Sequence, residues 1–210
     1  MNELDSLPQI RCRNILSKLK ALYIFGNSVS SRILERYSKE SLQTIHETKD
    51  DEWLPLEYSL RLSECVAAEV VEEDLFRWAF RASLYSINSS MVGPFLRARM
   101  NLFMIRTAAT LINAPQTWNV VHSNCGMMSA VENGPGSLIL QLEDLPLIMV
   151  RSRPYLIGVS AFVQAMGKIG SVTKVKASLE QHSESNRSAV IIATWDINQQ
   201  SNDILPSVAG

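Results

Sequence analysis

The feature that most constrains this chain is a change of hydrophobic period near residue 116. Before it, apolar residues recur at the three- and four-residue spacing of amphipathic helices, and after it they form short runs divided by turn residues. Helices followed by strands that are joined through tight turns are typical of an α+β layer fold. We therefore predict a single α+β domain over residues 1–196, mainly helical over 1–115 and a sheet plus one helix over 116–196.

Helices are predicted where a capping or acidic residue precedes a helical apolar pattern. Ser6 and Gln9 have the spacing of a capping box, and Glu72 and Glu73 favour a helix start because acidic side chains oppose the helix dipole there. The polar stretch from Ser38 to Asp51 is predicted as loop or frayed helix, and whether the first helix continues to Phe25 is left open. The predicted helices run from Leu7 to Lys20, from Ser28 to Tyr37, from Pro55 to Val70, from Glu73 to Ile87 and from Pro94 to Ile112.

Strands are predicted where the runs are short, β-branched and bounded by turn residues. Between Val172 and Gln181, two sets of residues alternate, which indicates a sheet with one face in water. The set predicted to face the core is Thr173, Val175, Ala177 and Leu179, and the set predicted to face water is Lys174, Lys176, Ser178 and Glu180. One helix, from Arg151 to Met166, is predicted to cross the sheet between its strands, and residues 197–210 are predicted to be a flexible tail. The predicted strands are Thr117 to Ser123, Gly126 to Val131, Ser137 to Leu142, Val172 to Gln181 and Ser188 to Asp196.

Composition limits the compartment and the partners. Lys and Arg number 20 against 21 Asp and Glu, so no net positive field draws the chain to nucleic acid or to an anionic membrane. The 3 cysteines are far apart and odd in number, which argues against a disulfide framework and favours a reducing cytoplasm. No apolar stretch approaches the ~20 residues of a membrane span, and no secretory leader is evident.

Candidate site residues each have an ordinary structural alternative. Arg99 and Arg106 are seven residues apart on a predicted helix, so they could clamp an anion, although ion pairs with a neighbouring helix are the more common outcome. His122 and Cys125 have the spacing of a metal or nucleophile pair, but we expect no metal because the further ligands that zinc requires are scattered. Carboxylate pairs such as Glu143 and Asp144 are explained by capping and solvation.

Several short strings carry a resemblance to known proteins. The strings Asp51-Glu52-Trp53-Leu54-Pro55, Gly93-Pro94-Phe95-Leu96, Arg153-Pro154-Tyr155-Leu156-Ile157-Gly158 and Ala193-Thr194-Trp195 resemble an uncharacterised myxobacterial-type family. That family is similar in plan to the haem-NO-binding, four-vinyl-reductase and TRAPP-like superfamily. The resemblance implies an N-terminal helical layer on a C-terminal antiparallel sheet, often with a small or apolar ligand between them.

The resemblance does not extend to the cofactor signatures. The haem-binding branch has a proximal histidine on a helix and a Tyr-x-Ser-x-Arg string, whereas His46 lies in a polar stretch and Tyr58-Ser59-Leu60-Arg61 is out of register. The zinc-binding cysteines of some four-vinyl-reductase domains are also missing. We therefore expect no cofactor.

These observations favour a non-enzymatic, cytoplasmic ligand-sensing or protein-interaction module. We expect a small apolar ligand or a protein partner, and a homodimer through the two apolar faces of the helix from Phe76 to Ile87. Two alternatives stay open: a small enzyme that holds an anionic substrate with arginines, and a structural assembly subunit. The expected ligand-binding residues are Arg99, Arg106, Phe103, Tyr155, Phe162 and Trp195.

Overall fold

The computed structural model describes residues 7–88, 108–169 and 174–196. Arg99, Phe103 and Arg106 lie outside these ranges, so their expected roles in ligand binding stay predictions. Most of the predicted helix from Pro94 to Ile112 also lies outside them. Its described end, Ala108–Ile112, is helical.

The N-terminal half is helical, as predicted, but its element boundaries differ. The stretch after Ser38 is an ordered helix and not a loop, because the Ser38 side chain accepts a hydrogen bond from the Ser41 backbone N–H and caps the helix. A single turn of 3-10 helix, Leu22–Phe25, follows the first helix. The helices are α1 Cys12–Ala21, α2 Gly26–Arg36, α3 Lys39–Glu47, α4 Leu56–Ala67 and α5 Glu72–Ile87.

A small three-stranded sheet that the sequence did not predict joins distant parts of the chain. Strand β1, Gln9–Arg11, pairs antiparallel with β2, Trp53–Pro55, on one side and with β3, His122–Ser123, on the other. The first helix therefore begins at Cys12 and not at Leu7. This sheet brings His122 next to the start of α1.

The predicted strand from Thr117 to Ser123 is wrong over most of its length. After α6, Ala108–Ile112, the chain forms α7, Ala114–Val121, with Pro115 in the first turn, where proline is tolerated. Thr117, Trp118 and Val121 are buried at helical spacing. Their β-branched and aromatic side chains favour strands locally, but packing of one helical face overrides that preference.

The C-terminal half forms the predicted antiparallel sheet with an inserted helix. Its four strands lie in the order β4-β5-β7-β6, and the alternating residues Leu138, Leu140 and Leu142 of β5 are fully buried. The strands are β4 Met127–Glu132, β5 Ser137–Glu143, β6 Lys176–Ser183 and β7 Ser188–Thr194, and the helices between them are α8 Leu147–Arg151 and α9 Arg153–Ile169.

Helix α9 is the middle layer of the structure. It packs on β6 and β7 of the sheet and also on α4 and α5 of the N-terminal half. Helix α5 in turn contacts both α1 and α9, and its residues Leu75, Trp78, Ala82 and Ile87 are buried. Phe76, Phe80, Leu84 and Tyr85 of the same helix are only partly buried, so the homodimer stays a prediction. Within the described ranges, no helix is both long and apolar enough to cross a membrane.

Candidate functional site

A cavity lies where the two halves of the chain meet. Its walls come from β1, α1, α5, α7, β3 and α9, and they are mainly apolar. We call it the His122 cavity. Among the described residues, its polar lining consists of Asn14, Lys18, Ser83, His122 and Tyr155.

His122 is placed by an aromatic stack and two hydrogen bonds. Its ring stacks on Trp118, with 3.8 Å between centroids and 25° between planes. Nδ1 lies 3.3 Å from the Trp118 carbonyl oxygen, and Nε2 lies 2.7 Å from the Tyr155 hydroxyl. Because a carbonyl can only accept, Nδ1 carries the proton and Nε2 accepts from Tyr155.

Lys18 enters the cavity wall from α1 and is buried, with 9% of the residue exposed. Its Nζ donates to Ser59 Oγ at 2.8 Å and to Ser63 Oγ at 3.0 Å. These two serines lie one turn apart on α4. The ammonium also lies 4.4 Å from the centroid of the Tyr155 ring, within reach of a cation–π contact.

The polar groups form two hydrogen-bonded sets that meet at Ser59 and Tyr155. Lys18 donates to Ser59, and Tyr155 donates to Nε2 of His122. The Nδ1–H of His122 donates to the Trp118 carbonyl. The Ser59 side chain favours the ionised form of the Tyr155 hydroxyl and lowers its pKa, although burial outweighs this effect. We call the whole arrangement the Lys18–His122 relay.

Desolvation keeps the relay uncharged at its His122 end. Burial lowers the pKa of His122 well below its ordinary value, and the nearby Lys18 charge acts in the same direction. Burial raises the pKa of Tyr155 well above its ordinary value. At neutral pH the imidazole is therefore neutral, with its one proton on Nδ1, and the phenol is protonated. Burial also lowers the pKa of Lys18, to about 7.

The cavity is small in this arrangement of side chains. The space that the centre of a water molecule can reach is about 40 Å³. That space holds roughly three waters, since one water needs about 10–15 Å³ by this measure. It is far below the roughly 300 Å³ at which sites for drug-sized ligands begin. Any larger ligand must displace a wall of the cavity.

The expected ligand-binding residues fall in different places. Tyr155 and Phe162, both on α9, line the His122 cavity. Trp195 follows the end of β7, is partly buried and is not among the lining residues, so its role in binding stays a prediction.

The other candidate residues do not meet in the cavity. The Cys125 thiol donates to the Gln9 and Ser123 carbonyls, and burial raises its pKa to about 11, so it stays protonated and unreactive. Arg151 pairs with Glu184 at 2.9 Å and Arg153 with Glu72 at 3.1 Å, both at the surface. In the described part of the chain, no three His, Cys, Asp or Glu residues cluster as a metal site would require.

Comparisons with known proteins identify the fold. No family model and no curated protein matches the sequence. Solved structures do match: an H-NOX variant from K. algicida with unliganded Fe(II) has a TM-score of 0.57 at 12% identity, over 91% of this chain and 99% of that one. The chain has the H-NOX fold. An oxygen-binding H-NOX domain related to soluble guanylate cyclases matches with a TM-score of 0.54 at 9% identity, over 87% of this chain and 93% of that one.

These neighbours confirm one expectation and correct another. The helical layer on an antiparallel sheet and the likeness in plan to the haem-NO-binding superfamily are confirmed, whereas the myxobacterial-type family stays a prediction. The expectation of no cofactor is wrong, because matching structures of this fold are described with Fe(II) and with haem. One of them, described by its haem redox potential and porphyrin distortion, has a TM-score of 0.55 at 9% identity, over 87% of this chain and 93% of that one.

The donor set of the cavity suits a haem, although its present volume does not. A histidine that binds iron is neutral and usually donates its other N–H to a carbonyl or carboxylate, as His122 does toward Trp118. Nε2 would be the ligand atom, and its lone pair now accepts a hydrogen bond from the Tyr155 hydroxyl. A macrocycle therefore requires Tyr155 and α9 to move away from α7.

Sequence reasoning singled out His122 and Tyr155 but missed Lys18. A weak signal was present, because Lys18 lies three residues after the buried Ile15 and three before the buried Ala21 on the same helix. A lysine on an apolar face usually extends its ammonium to water, so the position alone does not predict burial. The serines that accept its hydrogen bonds are 41 and 45 residues away in the sequence.

Proposed function

We propose that this chain is a non-enzymatic ligand-sensing regulatory domain that binds its ligand in the His122 cavity. The observation that carries the proposal is the neutral His122 imidazole, fixed by the Trp118 carbonyl, with its Nε2 directed at the cavity-lining Tyr155 hydroxyl. The H-NOX fold supports it, since proteins with this fold are described as binding haem iron and oxygen.

Haem is the candidate cofactor, and His122 is the residue that would hold its iron. When bound, haem would supply an iron with an open position for a diatomic ligand. Phe162 would contribute an apolar wall. Tyr155 would give up its hydrogen bond to Nε2, so its hydroxyl competes with any metal for the same lone pair.

Sensing would work by a shift between two arrangements. In the closed arrangement, the Tyr155–His122 hydrogen bond joins α9 to the segment after α7. A ligand that occupies the cavity favours an open arrangement in which this bond is broken. The equilibrium moves only by the difference in the ligand's affinity for the two arrangements.

The test is a titration of the purified protein with haem, followed by absorption spectroscopy. We expect the wild-type protein to give the Soret band of histidine-ligated haem and His122→Ala to lose it. Tyr155→Phe should bind haem more tightly, because it frees the Nε2 lone pair. His182→Ala is the matched control, since His182 is exposed on β6, away from the cavity.

Two results would refute this assignment. One is a wild-type protein that binds no haem under conditions in which its far-UV circular dichroism shows a folded chain. The other is binding that His122→Ala and His182→Ala leave equally intact, which would mean that the iron ligand is another residue. Native mass spectrometry of the freshly purified protein identifies any other small molecule that occupies the cavity.

A further inference from the structure

The Lys18 amine is buried without an acidic partner. Its Nζ hydrogen bonds go to two serine hydroxyls, and across residues 7–88, 108–169 and 174–196 no carboxylate forms an ion pair with it. A buried ammonium is costly unless a carboxylate compensates its charge. The surroundings therefore favour the neutral amine.

Among the described residues, the groups that face the amine come from three helices and from β3, and these groups are uncharged. Ser59 and Ser63 belong to α4, Trp78 to α5 and Tyr155 to α9, while His122 of β3 lines the same cavity. Burial lowers the pKa of Lys18 to about 7, so a large fraction of the amine has a free lone pair at neutral pH. A desolvated lysine of this kind is an activated nucleophile toward carbonyl compounds.

The cavity offers this amine a small, apolar compartment. Lys18 lines it together with Val159 and Phe162 of α9. Its water-sized space of about 40 Å³ corresponds to roughly three waters, which limits an occupant that leaves the walls in place to about three heavy atoms. The apolar walls disfavour a charged occupant.

Two serine hydroxyls supply the proton transfers that an amine needs to condense with a carbonyl. Ser59 Oγ lies 2.8 Å from Lys18 Nζ, and Ser63 Oγ lies 3.0 Å from it. The proton that Nζ loses can therefore pass to a neighbouring hydroxyl group in the buried site. A hydroxyl proton can pass in turn to the former carbonyl oxygen, which leaves as water.

From this geometry, we propose that Lys18 is a covalent binding residue for a small uncharged aldehyde. The Nζ lone pair attacks the carbonyl carbon, a C–N bond forms, and the carbonyl oxygen takes up a proton. The hydroxyl of this carbinolamine then leaves as water while the nitrogen loses a proton, which gives the imine. No oxidant or reductant is needed, and water reverses the reaction, so binding is reversible.

The test is reductive trapping with acetaldehyde on the folded chain without added haem. Cyanoborohydride at pH 7.5 converts any imine to a stable N-ethyl lysine, which peptide mass mapping assigns to a residue. An ordinary lysine with a pKa near 10.4 is about 0.1% neutral at this pH, so we expect Lys18 to be modified at least about tenfold faster than exposed lysines. Lys20, exposed on the same helix, is the internal reference.

Two variants and one denatured sample complete the experiment. Lys18→Met should lose the fast-reacting site, and the matched Lys20→Met should keep it. Unfolding in urea should abolish the preference for Lys18. The proposal is overturned if the folded wild-type chain modifies Lys18 no faster than Lys20, a result that does not depend on whether any variant folds.

This inference uses the same cavity as the proposed function but a different residue. Haem binding is measured by the Soret band and its dependence on His122. Imine formation is measured by the mass of a peptide that contains Lys18. Either one can fail while the other succeeds.

Discussion

Replacing Lys18 by methionine should remove a pH dependence from the stability of the protein. Lysine has an unfolded-state pKa of about 10.4, and burial lowers the pKa of Lys18 in the folded protein to about 7. Between these two values the unfolded chain binds the proton and the folded chain does not. Stability therefore rises with pH in this window, is fully developed above the unfolded pKa, and is lost as the pH falls toward the folded pKa.

The magnitude follows from the two pKa values. The slope approaches about 1.4 kcal/mol per pH unit once Lys18 is neutral in the folded state. Since the folded-state titration is half complete near pH 7, the Lys18 contribution to the free energy of unfolding should rise by about 2 kcal/mol between pH 7 and pH 9. Methionine has a similar length and no charge, so Lys18→Met should lack this rise.

The assay is urea unfolding at pH 7 and at pH 9, followed by tryptophan fluorescence. The measured quantity is the wild-type free energy of unfolding minus that of Lys18→Met. Buried cysteines and tyrosines also titrate at alkaline pH, and their contributions to the free energy of unfolding cancel in this difference. Lys20→Met removes an exposed ammonium and serves as the control. If the wild-type protein and Lys18→Met change in parallel from pH 7 to pH 9, Lys18 is not a buried amine and the relay is wrong.

Three further substitutions test the packing around the site. Gly126→Ala should destabilise the chain by at least about 1–3 kcal/mol, because Gly126 has a φ of +75° and a Cβ there would lie 2.2 Å from the Glu143 carbonyl oxygen; thermal melting measures this. Trp78→Phe should cost about 1–3 kcal/mol in urea unfolding, since its indole N–H donates to the buried Lys18 carbonyl at 3.0 Å. Leu140→Ala should cost about 2–5 kcal/mol in the same assay, because Leu140 is fully buried in the sheet; a loss below 1 kcal/mol would contradict its place in the core.

The sheet was predictable because its pattern is local. On β6, Ala177 is buried while Lys176 and Ser178 are exposed, which is the alternation that the sequence carries. Helices α7 and α9 show the limit of this reasoning. Helix α9 has clear helical spacing, whereas α7 is short, rich in β-branched residues and adjacent to a true strand at His122. For such a segment, tertiary packing decides between helix and strand.

The site was predictable only in part, because its residues meet through long-range contacts. His122 was a candidate by its spacing to Cys125, yet its partner in the structure is Tyr155, 33 residues further along the chain. The three-stranded sheet that brings β1 against β3 is built from segments of two and three residues. Segments this short leave no periodic signal, so neither the sheet nor the cavity beside it follows from the pattern.

The position of α9 gives the cavity a mechanical connection to the far side of the molecule. Tyr155 and Phe162 face the cavity, and two residues after Phe162 the Gln164 side-chain oxygen accepts the backbone N–H of Ala177 on the edge strand β6. A rotation of α9 large enough to admit a ligand would move the Gln164 side chain away from the Ala177 N–H. The edge of β6 would then have an unpaired backbone N–H at this position. Ligand binding in the cavity would thus change which strand or peptide can pair with the edge strand β6.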